Sequence, residues 1–236
     1  MNSRLARVIA VQVLVLSLGL SAASPAHGQD AKSSYPNMAP VDQYLIADRN
    51  TEIALARSAA PEAISRDAEV LVLGRRGYET AVKGKNGFVC VVNRSWMLPF
   101  ESPEFWDPAV RLPFCMNPPA VHSMLPLTIK EAEWALAGPT RSQLFDRTKT
   151  AFDRKELPLP EPGSMCYMMS KQQNFGPKVG NADSHLMFWF PQKDQMNWGA
   201  EFPGVPVDVH QYSPQPITEF AISVSKWSDG TAAPLD

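Results

Sequence analysis

Residues 69–92, EVLVLGRRGYETAVKGKNGFVCVV, constrain the fold more than any other part of the chain. Three short runs rich in Val, Leu, Phe and Tyr are separated by glycine-containing turns, the pattern of strands rather than of a helix. Glu69–Leu73 reads as a strand, Gly74-Arg75-Arg76-Gly77 as a turn, and Tyr78–Val82 as a second strand. Asn86-Gly87 supplies the positive-φ residues that tight hairpins need. Phe88–Val92 is therefore expected to complete a three-stranded antiparallel meander. Alternation along that last strand puts Phe88, Cys90 and Val92 on one face, and Val89 and Val91 on the other.

Upstream, Leu45, Ile46, Ile53, Ala56 and Ala60 fit one face of a helix over Tyr44–Ala60. Pro61 ends it, because a proline pushes the preceding residue out of the α region. Between Ser95 and Pro126, prolines 99, 103, 108, 113, 118, 119 and 126 predict a long irregular segment. Trp96, Phe100, Phe105, Trp106 and Phe114 are expected to keep it ordered on the surface, since long loops in compact domains are functional or disordered. Thr128-Ile129-Lys130-Glu131 matches a capping box, and the helix it opens runs to Ala137 and stops at Gly138-Pro139. A second helix, about Ser142–Lys155, carries Leu144, Phe145, Thr148 and Phe152 on one stripe, and the two read as a hairpin packed on the sheet. Beyond a proline-punctuated stretch at 157–163, strands are expected at Met165–Ser170, His185–Phe190, Val205–Val209 and Thr218–Lys226. Strands, helices, then strands again predict a single α+β domain over residues 43–236, built on an antiparallel sheet with long Pro-rich loops. A division near residue 157 is the alternative.

The N-terminus carries a different signal. Arg4 and Arg7 precede the uncharged apolar run 8–20, VIAVQVLVLSLGL, and a small-residue stretch ending in Ala26-His27-Gly28. That layout is a secretory signal peptide, with cleavage expected near Gly28 and with Ala26 and Ala23 as rival positions. The apolar run falls short of the roughly 20 residues that span a bilayer. Residues 1–28 are thus expected to be removed, 29–42 to form a flexible polar leader, and the protein to be exported, periplasmic or secreted. Cleavage takes away two of the 22 basic residues and none of the 24 acidic ones. The remaining mild acidity argues against a nucleic-acid partner, which calls for a concentrated basic footprint. No later run is long or apolar enough to enter a membrane.

Cys90, Cys115 and Cys166 follow no zinc or haem spacing, and an odd count in an oxidising compartment allows one disulfide and one thiol. Cys90 with Cys115 is the expected pair, because the strand holding Cys90 leads straight into the long loop holding Cys115. Cys166 lies in Met165-Cys166-Tyr167-Met168-Met169, where a buried thiol behaves as a small hydrophobe. Three reduced, buried thiols are the alternative.

Other candidate chemistry comes from residue types in pattern. On a strand at 185–190, His185, Met187 and Trp189 share a face, and soft ligands of that kind select Cu(I), with Met165, Met168 and Met169 nearby; a strand buried on both faces, with methionines filling gaps, competes. Asp183-Ser184-His185 contains the residue types of a hydrolytic triad, but neighbours on an extended chain point apart. A triad from Ser184 or Ser164 with a distant His122 or His210 is the form such a site would take. Arg75, Arg76, Lys83 and Lys85 fall in turns at opposite ends of one strand, roughly 17 Å apart. Glu101 and Glu104, with Asp107, read as a solvated edge, and Asn93-Arg94-Ser95 is a lone glycosylation sequon. No cofactor is implied.

The stretch IALARSAAPEAIS followed by VLVLGRRGYETAVKGKNGFVCVVNRSW, and the later LPFCMNPPA and MCYMMSKQQ, resemble a group of uncharacterised exported bacterial proteins. That resemblance implies a bacterial, periplasmic setting and transfers no functional residues. Two readings of function stand. One is a non-enzymatic binding or accessory protein that takes a small-molecule or protein ligand on an aromatic surface between sheet and loops. The other is an extracytoplasmic hydrolase with a dispersed Ser/His/carboxylate site. Histidine, serine and carboxylate gathered in one cleft would favour the hydrolase.

Overall fold

The Arg75-Arg76 turn joins β1 (Glu69–Gly74) to β2 (Gly77–Val82) as an antiparallel hairpin, Gly74 opposite Gly77. The computed structural model in which it is seen describes residues 35–192, 199–200 and 202–234. Residues 1–28, expected to be a signal peptide, and the start of the expected leader lie outside the described residues.

The expected meander does not form. β3 (Val89–Asn93) pairs with β1 rather than β2, and runs parallel to it through Glu69↔Val89 and Val70↔Cys90. Residues 83–88 do not turn back but pass across the start of β1. There the Lys85 N–H donates to Asp67 O (2.8 Å) and the Glu69 N–H donates to Phe88 O (2.9 Å). Gly84 permits the crossing, because a Cβ there would stand 2.3 Å from the Glu69 nitrogen. Gly87 does take a positive φ, +78°, but as part of this crossover.

The proline-rich segment holds regular structure that composition concealed. β4 (Leu112–Met116) pairs antiparallel with β3, and α3 (Pro118–Ser123) and α4 (Leu125–Leu136) start with Pro118 and Pro126 in the first turn, where a missing N–H costs nothing. Pro113 sits where β4 has a strand on one side only, since β5 (Met165–Met168) meets β4 just at Cys115 and Met116. Thr128 is inside α4, and the capping box belongs instead to Thr140 and Gln143 at the head of α5 (Arg141–Asp153). The helix expected over 44–60 begins only at α1 (Arg49–Arg57), where Asp48 accepts the Asn50 N–H, and α2 (Glu62–Ser65) lies just after Pro61. β6 (His185–Pro191), β7 (Val207–His210) and β8 (Ile217–Ser223) complete an eight-stranded sheet in the order β2-β1-β3-β4-β5-β6-β8-β7, antiparallel except for β1 and β3. This α+β sheet runs on either side of residue 157 without a break, and the described residues belong to one compact unit.

Alternation in β3 sets the layers. Cys90 and Val92 pack with Val70, Cys115 and Ala56 of α1 on one face. Val89 and Val91 pack with Phe114, Ala120, Leu125 and Leu127 on the other, under α3 and α4. Trp96, Phe105 and Trp106 are not spread on the surface; with Tyr44 and Leu73 they form a second buried cluster. Met38 and Ala39, at the end of the expected leader, pack against that cluster, and the Tyr44 hydroxyl joins the two by accepting the Ala39 N–H and donating to Trp106 O.

Where parallel pairing of β1 and β3 stops, a buried ion pair continues it. Glu52 Oε1 accepts the Leu73 N–H of β1, while Arg94 donates to Val92 O of β3, to Tyr44 O and to Glu52 (2.8 Å). Each charge is thereby hydrogen-bonded as well as paired, which is the condition for burying it. Asn93 of the sequon is wholly buried beside the Tyr78 hydroxyl and offers no surface to a glycan in the folded chain.

Candidate functional site

A cleft of about 750 Å³ opens on the α4 side of the sheet, between strands β4–β8, α4 and residues 97–104. That is within the range of sites for small molecules. Strand alternation builds its floor. His185, Met187 and Trp189 point the same way from β6, and register sets Ser223, Ala221 and Glu219 opposite them on β8. Asp208 and His210 on β7 lie in turn opposite Ala221 and Glu219. Methionines 97, 116, 124 and 168, with Phe114 and Phe175, make the apolar walls.

Burial shapes the chemistry of the polar end. Trp189 Nε1 donates to Glu219 Oε2 (2.9 Å), and burial pushes the Glu219 carboxyl up to about 7 despite that bond. His185 Nδ1 lies 2.6 Å from the Asp183 carbonyl oxygen, which can only accept. The proton of the neutral ring therefore sits on Nδ1 and Nε2 is an acceptor. Burial also holds the His185 pKa below its usual value. The His210 ring stacks on Tyr212, centroids 5.3 Å apart. Under the cleft wall, buried Glu131 accepts from Thr148 (3.3 Å) and from Gln215 (3.2 Å), a cleft-lining residue, and burial raises its pKa to about 8.

Several candidates read from the sequence fall elsewhere. Ser184 is buried and donates to Lys226 O, Ser164 is bonded to Ser123, and His122 is exposed with Nδ1 3.8 Å from Glu161. Among the described residues no hydrogen bond joins Ser184 or Ser164 to His122 or His210. His185, Met187 and Met168 do share the cleft, whereas Met165 and Met169 do not line it. Among the described residues, no group of three or more His, Cys, Asp or Glu side chains is placed to hold a metal ion. Glu101 and Glu104 line the cleft, and Glu104 is buried rather than solvated. Arg75 pairs with Asp42 at the far end of β2 from Lys83 and Lys85. Cys90 and Cys115 are direct partners in the β3–β4 register and are joined as a disulfide, with Cys166 a buried free thiol.

Asp208 and Glu219 were not among the residues singled out from the sequence. Their signal was present, an acid in each of two short apolar strands, but only the register of β7, β8 and β6 brings them together. No family model, curated protein or solved structure matches this chain.

Proposed function

We propose that the protein is a non-enzymatic binding protein that holds a small molecule in the cleft. The observation that carries this is the cleft itself, about 750 Å³ with apolar walls and a few polar groups converging at the β6–β8–β7 end. Untargeted mass spectrometry of protein purified from its native compartment tests it. A small molecule released in stoichiometric amount from the wild type, and missing from Ala221→Phe, which fills the floor, is the expected result. A cleft found empty in both overturns it.

One observation favours an extracytoplasmic hydrolase as a second reading. His185 presents a neutral Nε2 and lies directly opposite Ser223 in the β6–β8 register, both residues lining the cleft. In that reading Nε2 takes the Ser223 hydroxyl proton as the oxygen attacks. Labelling by a fluorophosphonate that is lost in Ser223→Ala supports it, and an unlabelled wild type removes it. Either reading places the protein outside the cytoplasm, as the N-terminal signal layout and the resemblance to exported bacterial proteins suggest. N-terminal sequencing of the mature chain is then expected to start within residues 24–30.

A further inference from the structure

We propose that the cleft takes an amphipathic cation, a ligand with an apolar body and a protonated amine or similar monocationic head. The inference rests on the small-molecule reading above and adds the charge of the ligand.

The charge balance of the lining points one way. Glu101, Glu104, Asp183, Asp208 and Glu219 all line the cleft, and no Lys or Arg is among its described lining residues. None of the five acids takes part in an ion pair among the described residues. Arg141, which feels the charge of Glu101, directs its guanidinium to Phe100 O and the Phe105 ring. An anion entering the cleft would meet like charge with no Lys or Arg among the described lining residues, which is how a site rejects the wrong ligand.

The recognition elements for a cation are together at one end. Trp189 sits in register opposite Glu219, so an indole ring and a carboxylate lie side by side, joined by the 2.9 Å hydrogen bond. Aromatic faces and carboxylates are the two groups that attract an ammonium most strongly. The methionine walls are soft and adaptable, and suit an apolar body of varied shape.

Cation binding would also move a proton. The described groups facing Glu219 are the Trp189 N–H that donates to it, His210 opposite it in register, Tyr212 and, from β5, Cys166, with Asp208 two residues before His210 on β7. Of these only the Trp189 N–H favours the carboxylate and burial outweighs it, so among the described residues little draws the proton fully off Glu219. A bound cation would, and binding near neutral pH should release a proton from that carboxyl.

Isothermal titration calorimetry with 4-phenylbutylamine, 4-phenylbutanol and 4-phenylbutyrate tests this, since the three share one apolar body. The amine is expected to bind at least about tenfold more tightly than the alcohol, with the carboxylate weakest. Amine binding should release protons, read from the dependence of the heat on buffer ionisation, and should be lost in Ala221→Phe. Asp208→Asn, on the exposed edge strand β7, should weaken the amine and leave the alcohol unchanged. If the alcohol binds as tightly as the amine, or the carboxylate more tightly, the cationic assignment falls and the small-molecule reading stands. If none of the three binds saturably, the cationic assignment falls, and the small-molecule reading rests on the mass spectrometry alone. Amine binding that survives Ala221→Phe overturns the assignment to this cleft.

Discussion

Glu131 shows how a residue that fits a local rule can serve a distant one. Three positions after Thr128 it completes a capping-box pattern, yet it sits in the second turn of α4 with its carboxyl fully buried. Its Oε1 ties α5, through Thr148, to the loop carrying Gln215, while Oε2 has no partner among the described residues. Raised to about 8, the carboxyl keeps its proton in the folded chain at pH values where the unfolded chain has lost it. The folded state then binds more protons, so stability falls as pH climbs from the ordinary carboxyl range towards 8. Glu219, raised to about 7, acts in the same direction. Glu131→Gln keeps the acceptor at Oε1 and removes the titration. Its urea-denaturation stability should be less pH-dependent than that of the wild type, the two diverging by about 2 kcal/mol or more between pH 5 and 8.5. Parallel profiles would show that Glu131 is ionised throughout.

The β1–β3 crossover hinges on Gly84, whose α-carbon passes so close to Glu69 that any side chain meets backbone. Gly84→Ala should destabilise the fold by about 2 kcal/mol or more, measured by urea titration, because neither backbone segment can yield cheaply. An unchanged midpoint would mean that the crossing is looser than this. The crossover was not legible in the sequence, since Asn86-Gly87 marks a tight turn equally well in a hairpin or in a passage beneath a neighbouring strand. What decides between them is a contact between residues fifteen apart, Gly84 and Glu69, which no local pattern carries. Strand alternation was legible: the two faces of β3 and the shared face of His185, Met187 and Trp189 come directly from a period of two. Prolines misled in the 95–126 segment, where composition reads as irregular but Pro118 and Pro126 open helices and Pro113 tolerates a half-paired strand. The acidic end of the cleft was half visible. His185 was evident from its own strand, whereas Asp208 and Glu219 join it only through pairing across three strands.

At the scale of the whole molecule, the Cys90–Cys115 link binds two central strands through residues buried on the α1 face. Closing 25 residues should stabilise the fold by roughly 3 kcal/mol in the chain-entropy description. Non-reducing peptide mapping of protein from its native compartment should recover the Cys90–Cys115 peptide and leave Cys166 alkylatable only after denaturation. Recovery of a Cys90–Cys166 peptide, or of three free thiols, would contradict this. The strand order adds a mechanical property to that chemical one. Among the described residues the first strand, β1, is flanked by β2 and β3, and the last, β8, by β6 and β7, so neither of these is an edge. A tug on either end of the domain loads a strand gripped from both sides, and its hydrogen bonds must slip together rather than unzip in turn. An unfolding motor that threads the chain from either terminus therefore meets one of these clamped strands as the first strand it must extract, and resistance to forced unfolding, not only equilibrium stability, sets how long the protein survives.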